Sequence, residues 1–161
     1  MTNFHGIHHA GVVVPNLNEA ISFYCDLAGF EKLRESSWDA QNLAFNQIAG
    51  LENSAARFCV LKGKNGFLEL FEYSSPASNA SPEQRAANDY GIRHLCFEVD
   101  DVVAALDKVV ELGGSRINDP VTLAAGITAT YCRDPFGNLL ELVMPAPGGT
   151  FRSLTSLGDE Q

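Results

Sequence analysis

The sequence predicts an α+β fold built from two βαβββ modules. Three observations predict it. A strand-like run leads into a capped amphipathic stretch, the same pattern returns 85 residues later, and each copy is followed by strand-like runs joined by a turn.

Ile7 to Val14 reads as a strand, which Pro15 ends. Asn16-Leu17-Asn18-Glu19 is a helix start, with Asn16 as cap and Glu19 placed to reach back. Leu17, Ala20, Ile21, Tyr24, Leu27 and Ala28 follow at helical spacing, and Gly29 stops the helix. Phe58 to Leu61 and Phe67 to Tyr73 read as a hairpin across a turn containing Asn65-Gly66. In the second copy Ile92 to Val99 reads as a strand and Asp100-Asp101 as a cap. Val102, Ala105, Leu106, Val109 and Leu112 form the helical stripe, and Gly113-Gly114 ends it. Ile127 to Cys132 and Leu139 to Met144 are its last strands. With the 85-residue offset His9 meets His94, Val14 meets Val99, Ala20 meets Ala105 and Gly29 meets Gly114.

These elements divide the chain into a first module (4–76), a linker (77–90), a second module (91–145) and a tail (146–161), which is a loose end or a flap. Ser74 to Glu83 is rich in Ser, Pro, Ala and Asn, as a linker should be. The first module carries 13 more residues between its first strand and its last than the second does. The excess falls around 36–53, with Trp38, Phe45 and Ile48. Such an insertion contacts substrate, covers a sheet edge or meets another subunit.

At 161 residues, with 45% apolar and 19% charged, the chain is long enough to bury a core. The composition excludes a coiled coil, a collagen-like fibre and a largely disordered chain. No apolar run nears the roughly 20 residues of a membrane span, and Met1 to His5 lacks the features of an export signal. Eleven basic against 20 acidic residues, net charge −9, disfavour nucleic acid and anionic membranes as partners. Cys25, Cys59, Cys96 and Cys132 form no C-x-x-C pair and read as reduced core residues of a cytoplasmic protein.

Four positions carry the candidate chemistry. His9 and His94 are equivalent in the two first strands, and Glu69 and Glu141 are equivalent in the two last strands. A carboxylate inside an apolar strand needs a partner. Two imidazoles and two carboxylates at repeat-related places share one naturally, a divalent metal ion. Taken singly, a strand His is more often a core or edge residue, and a strand Glu can simply face solvent; the repeat is what raises the set above that. His5 shares the parity of His9 and competes with it, but lies outside the repeat. His8, Glu72 and Glu98 are expected to face away from the site.

The runs His8-His9-Ala10-Gly11-Val12-Val13-Val14-Pro15-Asn16-Leu17, Phe67-Leu68-Glu69-Leu70-Phe71-Glu72, His94-Leu95-Cys96-Phe97-Glu98-Val99-Asp100-Asp101 and Asp134-Pro135-Phe136-Gly137-Asn138-Leu139-Leu140-Glu141-Leu142 resemble the vicinal oxygen chelate superfamily. That superfamily includes glyoxalase I, methylmalonyl-CoA epimerase, extradiol dioxygenases, fosfomycin-modifying transferases and metal-free bleomycin-binding proteins. The resemblance implies paired modules forming a cupped mixed sheet around a metal (Zn, Ni, Co, Mn or Fe) held at His9, Glu69, His94 and Glu141. It also implies a homodimer. Dioxygenases use two His and one carboxylate, so the fourth ligand at Glu69 favours the glyoxalase–epimerase branch. Val13 and Tyr73 stand where bacterial glyoxalase I has Arg and Asn for glutathione, which disfavours a glutathione thioester. The implied activity is a metal-dependent lyase or isomerase that abstracts a proton α to a carbonyl of a small carbonyl or thioester substrate and stabilises the resulting enediolate or enolate. Glu141 and Glu69 are the candidate bases, Glu141 preferred, with Glu69 the firmer ligand. Phe67, Phe71, Cys96 and Phe97 are candidate apolar walls or plain core. A non-haem dioxygenase or thiol transferase, and a bleomycin-resistance-type binding protein, are the alternatives.

Overall fold

The computed structural model describes residues 2–78 and 85–156. The middle of the expected linker (79–84) and the end of the expected tail (157–161) lie outside the described residues. The chain divides into two compact units, Met1–Ala80 and Ser81–Gln161.

The first unit contains β1 (His9–Val13), α1 (Leu17–Ala28), β2 (Glu31–Trp38), α2 (Leu43–Ala49), β3 (Ala55–Lys62) and β4 (Phe67–Ser75). Its sheet has the order β1-β4-β3-β2, with β1 parallel to β4 and the other pairs antiparallel. The Asn16 side chain accepts from the N–H groups of Asn18 and Glu19, and Gly29 closes α1 in the left-handed region at φ 67°. Glu72, on β4, accepts from the Leu17 N–H at 2.9 Å and lies 3.4 Å from the Arg57 guanidinium. Arg57 also donates to Asn18 and Glu35, which ties the start of α1 to the sheet. The Lys32 ammonium and Arg57 hold the Glu35 carboxyl below its ordinary range. Leu17, Ala20, Phe23 and Tyr24 of α1 are buried, as are Cys59, Leu61, Leu68 and Leu70 of the sheet. Glu72 and these leucines thus belong to the helix side, and Glu69 to the other.

The second unit contains β5 (His94–Glu98), α3 (Val102–Glu111), the two-residue strands β6 (Ser115–Arg116) and β7 (Val121–Thr122), β8 (Thr128–Arg133) and β9 (Leu139–Met144). Its sheet has the order β5-β9-β8-β6, with β7 also on β8 and β5 parallel to β9. Asp101 caps α3 by accepting from Val103 and Ala104. Gly114 is required by close approach, because a Cβ there would lie 2.5 Å from the Arg133 carbonyl oxygen and 2.6 Å from Val109 Cγ1. Val102, Leu106 and Val109 are buried with Cys132, Leu140 and Leu142.

The fold class is therefore the expected α+β arrangement of βαβββ modules, realised as two mixed sheets, one per unit. The segment 36–53 holds the end of β2 and the whole of α2, which Asn42 caps by accepting from the Phe45 N–H. The tail makes a 3-10 turn at Leu154–Ser156, and its Ser153 hydroxyl and Leu154 N–H donate to the Glu98 carboxylate. Among the described residues no helix is long and apolar enough to cross a membrane.

Asp134 sets the β8–β9 hairpin. Its carboxylate is 2% exposed and accepts from the Phe136 N–H, the Asn138 N–H and the Asn138 side chain. Asp134→Ala leaves these donors unsatisfied and is expected to cost about 2–3 kcal/mol of stability. Urea denaturation measures it, and an unchanged midpoint would refute the assignment.

Candidate metal centre

Parallel pairing of first and last strand builds one His–Glu pair in each module. In the first, Gly11 is the Cα partner of Glu69 and His9 that of Phe67, so His9 stands diagonally across from Glu69. His9 Nε2 is 3.2 Å from Glu69 Oε2. In the second, Cys96 is the partner of Glu141 and His94 that of Leu139, and His94 Nε2 is 2.9 Å from Glu141 Oε2. All four side chains are partly exposed, the carboxylates at 23% and 24%. The structure thus pairs His9 with Glu69 in the first unit and His94 with Glu141 in the second, in the same strand register. Among the described residues no group of three or more His, Cys, Asp and Glu side chains is gathered at one point.

The donor set of each pair, one imidazole nitrogen beside one carboxylate oxygen, suits a divalent metal of the zinc-to-manganese range. Two donors fall short of the three or four that such sites use, so neither pair by itself makes a complete metal site.

A family model described as the Glyoxalase/Bleomycin resistance protein/Dioxygenase superfamily matches residues 6–142. The chain belongs to that superfamily. It is 30% identical to a 2-epi-5-epi-valiolone epimerase from Actinomyces, over 94% of this chain and 85% of the relative. The crystal structure of a glyoxalase family protein from Bacillus cereus superposes with a TM-score of 0.79 at 19% identity, covering 89% of this chain and 95% of that one. The genomically encoded fosfomycin resistance protein of Listeria monocytogenes, solved with Mn(II) and sulfate, superposes at 0.58 with 17% identity over 93% and 100% of the two chains.

On this superfamily fold several side chains depart from the sequence expectation. His8 does not face away from His9. The strand begins only at His9, so strand alternation does not govern His8, whose Nδ1 lies 2.9 Å from His9 Nδ1. That bond fixes the His9 ring with Nε2 turned to Glu69. His5 lies ahead of β1, exposed, and makes no ion pair among the described residues. Glu98 lies an even number of residues from both His94 and Cys96, so it shares their face and does not point away. Phe97 has the opposite parity, pairs with Leu142, and is no wall of the site. Glu72 does face away, onto α1.

Two polar residues join the His94–Glu141 pair. Tyr131 is the Cα partner of Glu141, and its ring centroid is 5.2 Å from that of His94. Burial, then the Glu141 charge, raises its phenol, which stays a hydrogen-bond donor. Tyr131 also lines a cavity of about 430 Å³ with Ile117, Val121, Ala129 and Leu139. Its position opposite Glu141 could have been read from the hairpin register. Cys96 is exposed as a residue, yet its thiol is pushed up to about 12 by desolvation, the Glu141 charge, a hydrogen bond to Glu141 and the Glu98 charge.

A raised thiol pKa means little thiolate at pH 8. In chelator-treated protein, Cys96 is expected to react with iodoacetamide at least about tenfold more slowly than an unperturbed thiol. Glu141→Gln removes the charge and should speed the reaction. Site-resolved mass spectrometry measures both, and rapid labelling of the unaltered protein would contradict the proposed contact.

Proposed function

We propose that this chain is a divalent-metal-dependent isomerase or lyase of the glyoxalase–epimerase type, acting on a small carbonyl compound. The observation that carries the reading is the pair of repeat-related His–Glu contacts, at 3.2 and 2.9 Å. In this reading His9, Glu69, His94 and Glu141 would together hold one metal ion. A homodimer is part of this proposal. The epimerase relative supports an isomerising reaction, and the Mn(II) complex of the fosfomycin resistance protein shows that the fold can carry a divalent ion.

When bound, the cation supplies Lewis-acid polarisation of the substrate carbonyl. The protein supplies the rest. Glu141 takes the proton from the carbon next to that carbonyl and returns it to the same or the neighbouring carbon. Cys96 donates to Glu141 and steadies the carboxylate. Glu69, whose module has Gly11 where the other has Cys96, lacks that thiol and is the firmer ligand. Tyr131 sets its ring against that of His94, and His8 holds the His9 ring in place.

Elemental analysis of purified protein is expected to find close to one divalent metal per His–Glu quartet, lost in Glu69→Ala and His94→Ala. No metal after reconstitution would end the proposal. Iron retained in Glu69→Ala, with oxygen uptake, would favour the dioxygenase alternative. With metal retained, Glu141→Gln is expected to slow exchange of substrate α-protons with deuterated solvent by about 10²–10⁴-fold. An unchanged rate would exclude Glu141 as base.

A further inference from the structure

The two half-sites share a backbone design but not their surroundings. On the Glu69 face of the first module, β3 and β4 carry Phe58, Phe71 and Tyr73. Phe58 is the Cα partner of Phe71, with ring centroids 5.9 Å apart, and Phe71 lies 6.1 Å from Tyr73. All three are partly exposed. Behind them Trp38, 7% exposed, stacks on Phe45 of α2 at 4.4 Å and 8° and meets Phe58, Phe71 and Tyr73 at 5.7–6.2 Å. The Trp38 indole N–H donates to Ser54, whose hydroxyl and N–H donate to Asn46 of α2. The insertion therefore braces the wall from behind.

At the corresponding places of the second module stand Ala129 and Val143. The asymmetry extends to the position facing each carboxylate. Gly11 leaves the space before Glu69 open, where an added Cβ would meet only Phe71 Cε2, at 3.6 Å. Cys96 fills the same place before Glu141. A core demanded by the fold would recur in both repeats. An aromatic wall found in one, opening through a glycine gap beside a candidate ligand, points to a bound group.

We propose that Phe58, Phe71 and Tyr73, reached across Gly11, form a subsite for a flat apolar ring attached next to the chelating oxygens of the substrate. The ring would lie against Phe71 and Phe58 by offset or edge contact. The inference deepens the metal-dependent reading and rests on it for the anchoring of the oxygens.

Mandelate and lactate test it, because they present the same hydroxyl and carboxylate and differ by phenyl against methyl. Calorimetric titration of the metal-loaded full chain is expected to show mandelate binding about tenfold more tightly. Trp38, the only tryptophan, should report mandelate by a change in emission. Phe71→Ala and Gly11→Val should each bring the affinity ratio to about one, with metal content unchanged. Gly11→Ala, whose Cβ makes only an ordinary contact, should keep the preference. Should Phe71→Ala fail to fold, Gly11→Val on the edge strand still decides. Equal affinities, a preference that survives both variants, or no binding of either acid would overturn the subsite while leaving the metal reading to its own test. A mandelate preference undiminished in metal-free protein would support the wall and count against the metal.

Discussion

Everything at the candidate centre depends on the register between the first and last strand of each module. Parallel pairing sets Gly11 against Glu69 and Cys96 against Glu141, which leaves each histidine one pleat back, diagonal to the carboxylate. A slip of one residue would turn the glutamate to the helix side and Leu70 or Leu142 to the site. Burial of those leucines under α1 and α3 is what forbids the slip. The hydrophobic core thus fixes the geometry of the polar site, and the Asp134 turn and the Gly114 approach hold the second hairpin in that register.

The repeat made much of this legible. Helix caps, glycine stops and the equivalence of His9 with His94 and Glu69 with Glu141 are all visible as spacing, and the βαβββ organisation follows from them. What escaped had physical reasons. Strand β2, with the sequence EKLRESSW, is exposed along most of its length at the sheet edge, so no apolar alternation marks it. Two-residue strands such as β6 and β7 leave no periodicity at all. Alternation begins only where the strand does, so it says nothing of His8. The place of Tyr131 comes from the strand across the hairpin rather than from its own neighbours in sequence. The aromatic wall was dispersed over β2, α2, β3 and β4, and only the fold assembles it.

The strand carboxylates separate by the partners that offset their desolvation. Glu72 receives a helix N-terminal N–H and a guanidinium, partners that are always donors. Glu98 receives a hydroxyl and a backbone N–H from the tail. Both are committed to holding structure together. Glu69 and Glu141 instead face imidazoles, whose neutral form has a ring-nitrogen lone pair that can turn to a metal. A neutral imidazole is a weaker partner for a carboxylate than a permanent cation. The two glutamates with the most replaceable partners are the two that the repeat places in equivalent positions. That is the arrangement a protein needs if the carboxylates are to be held for a cation that arrives after folding, and it distinguishes them from Glu72 and Glu98, whose partners are fixed parts of the fold.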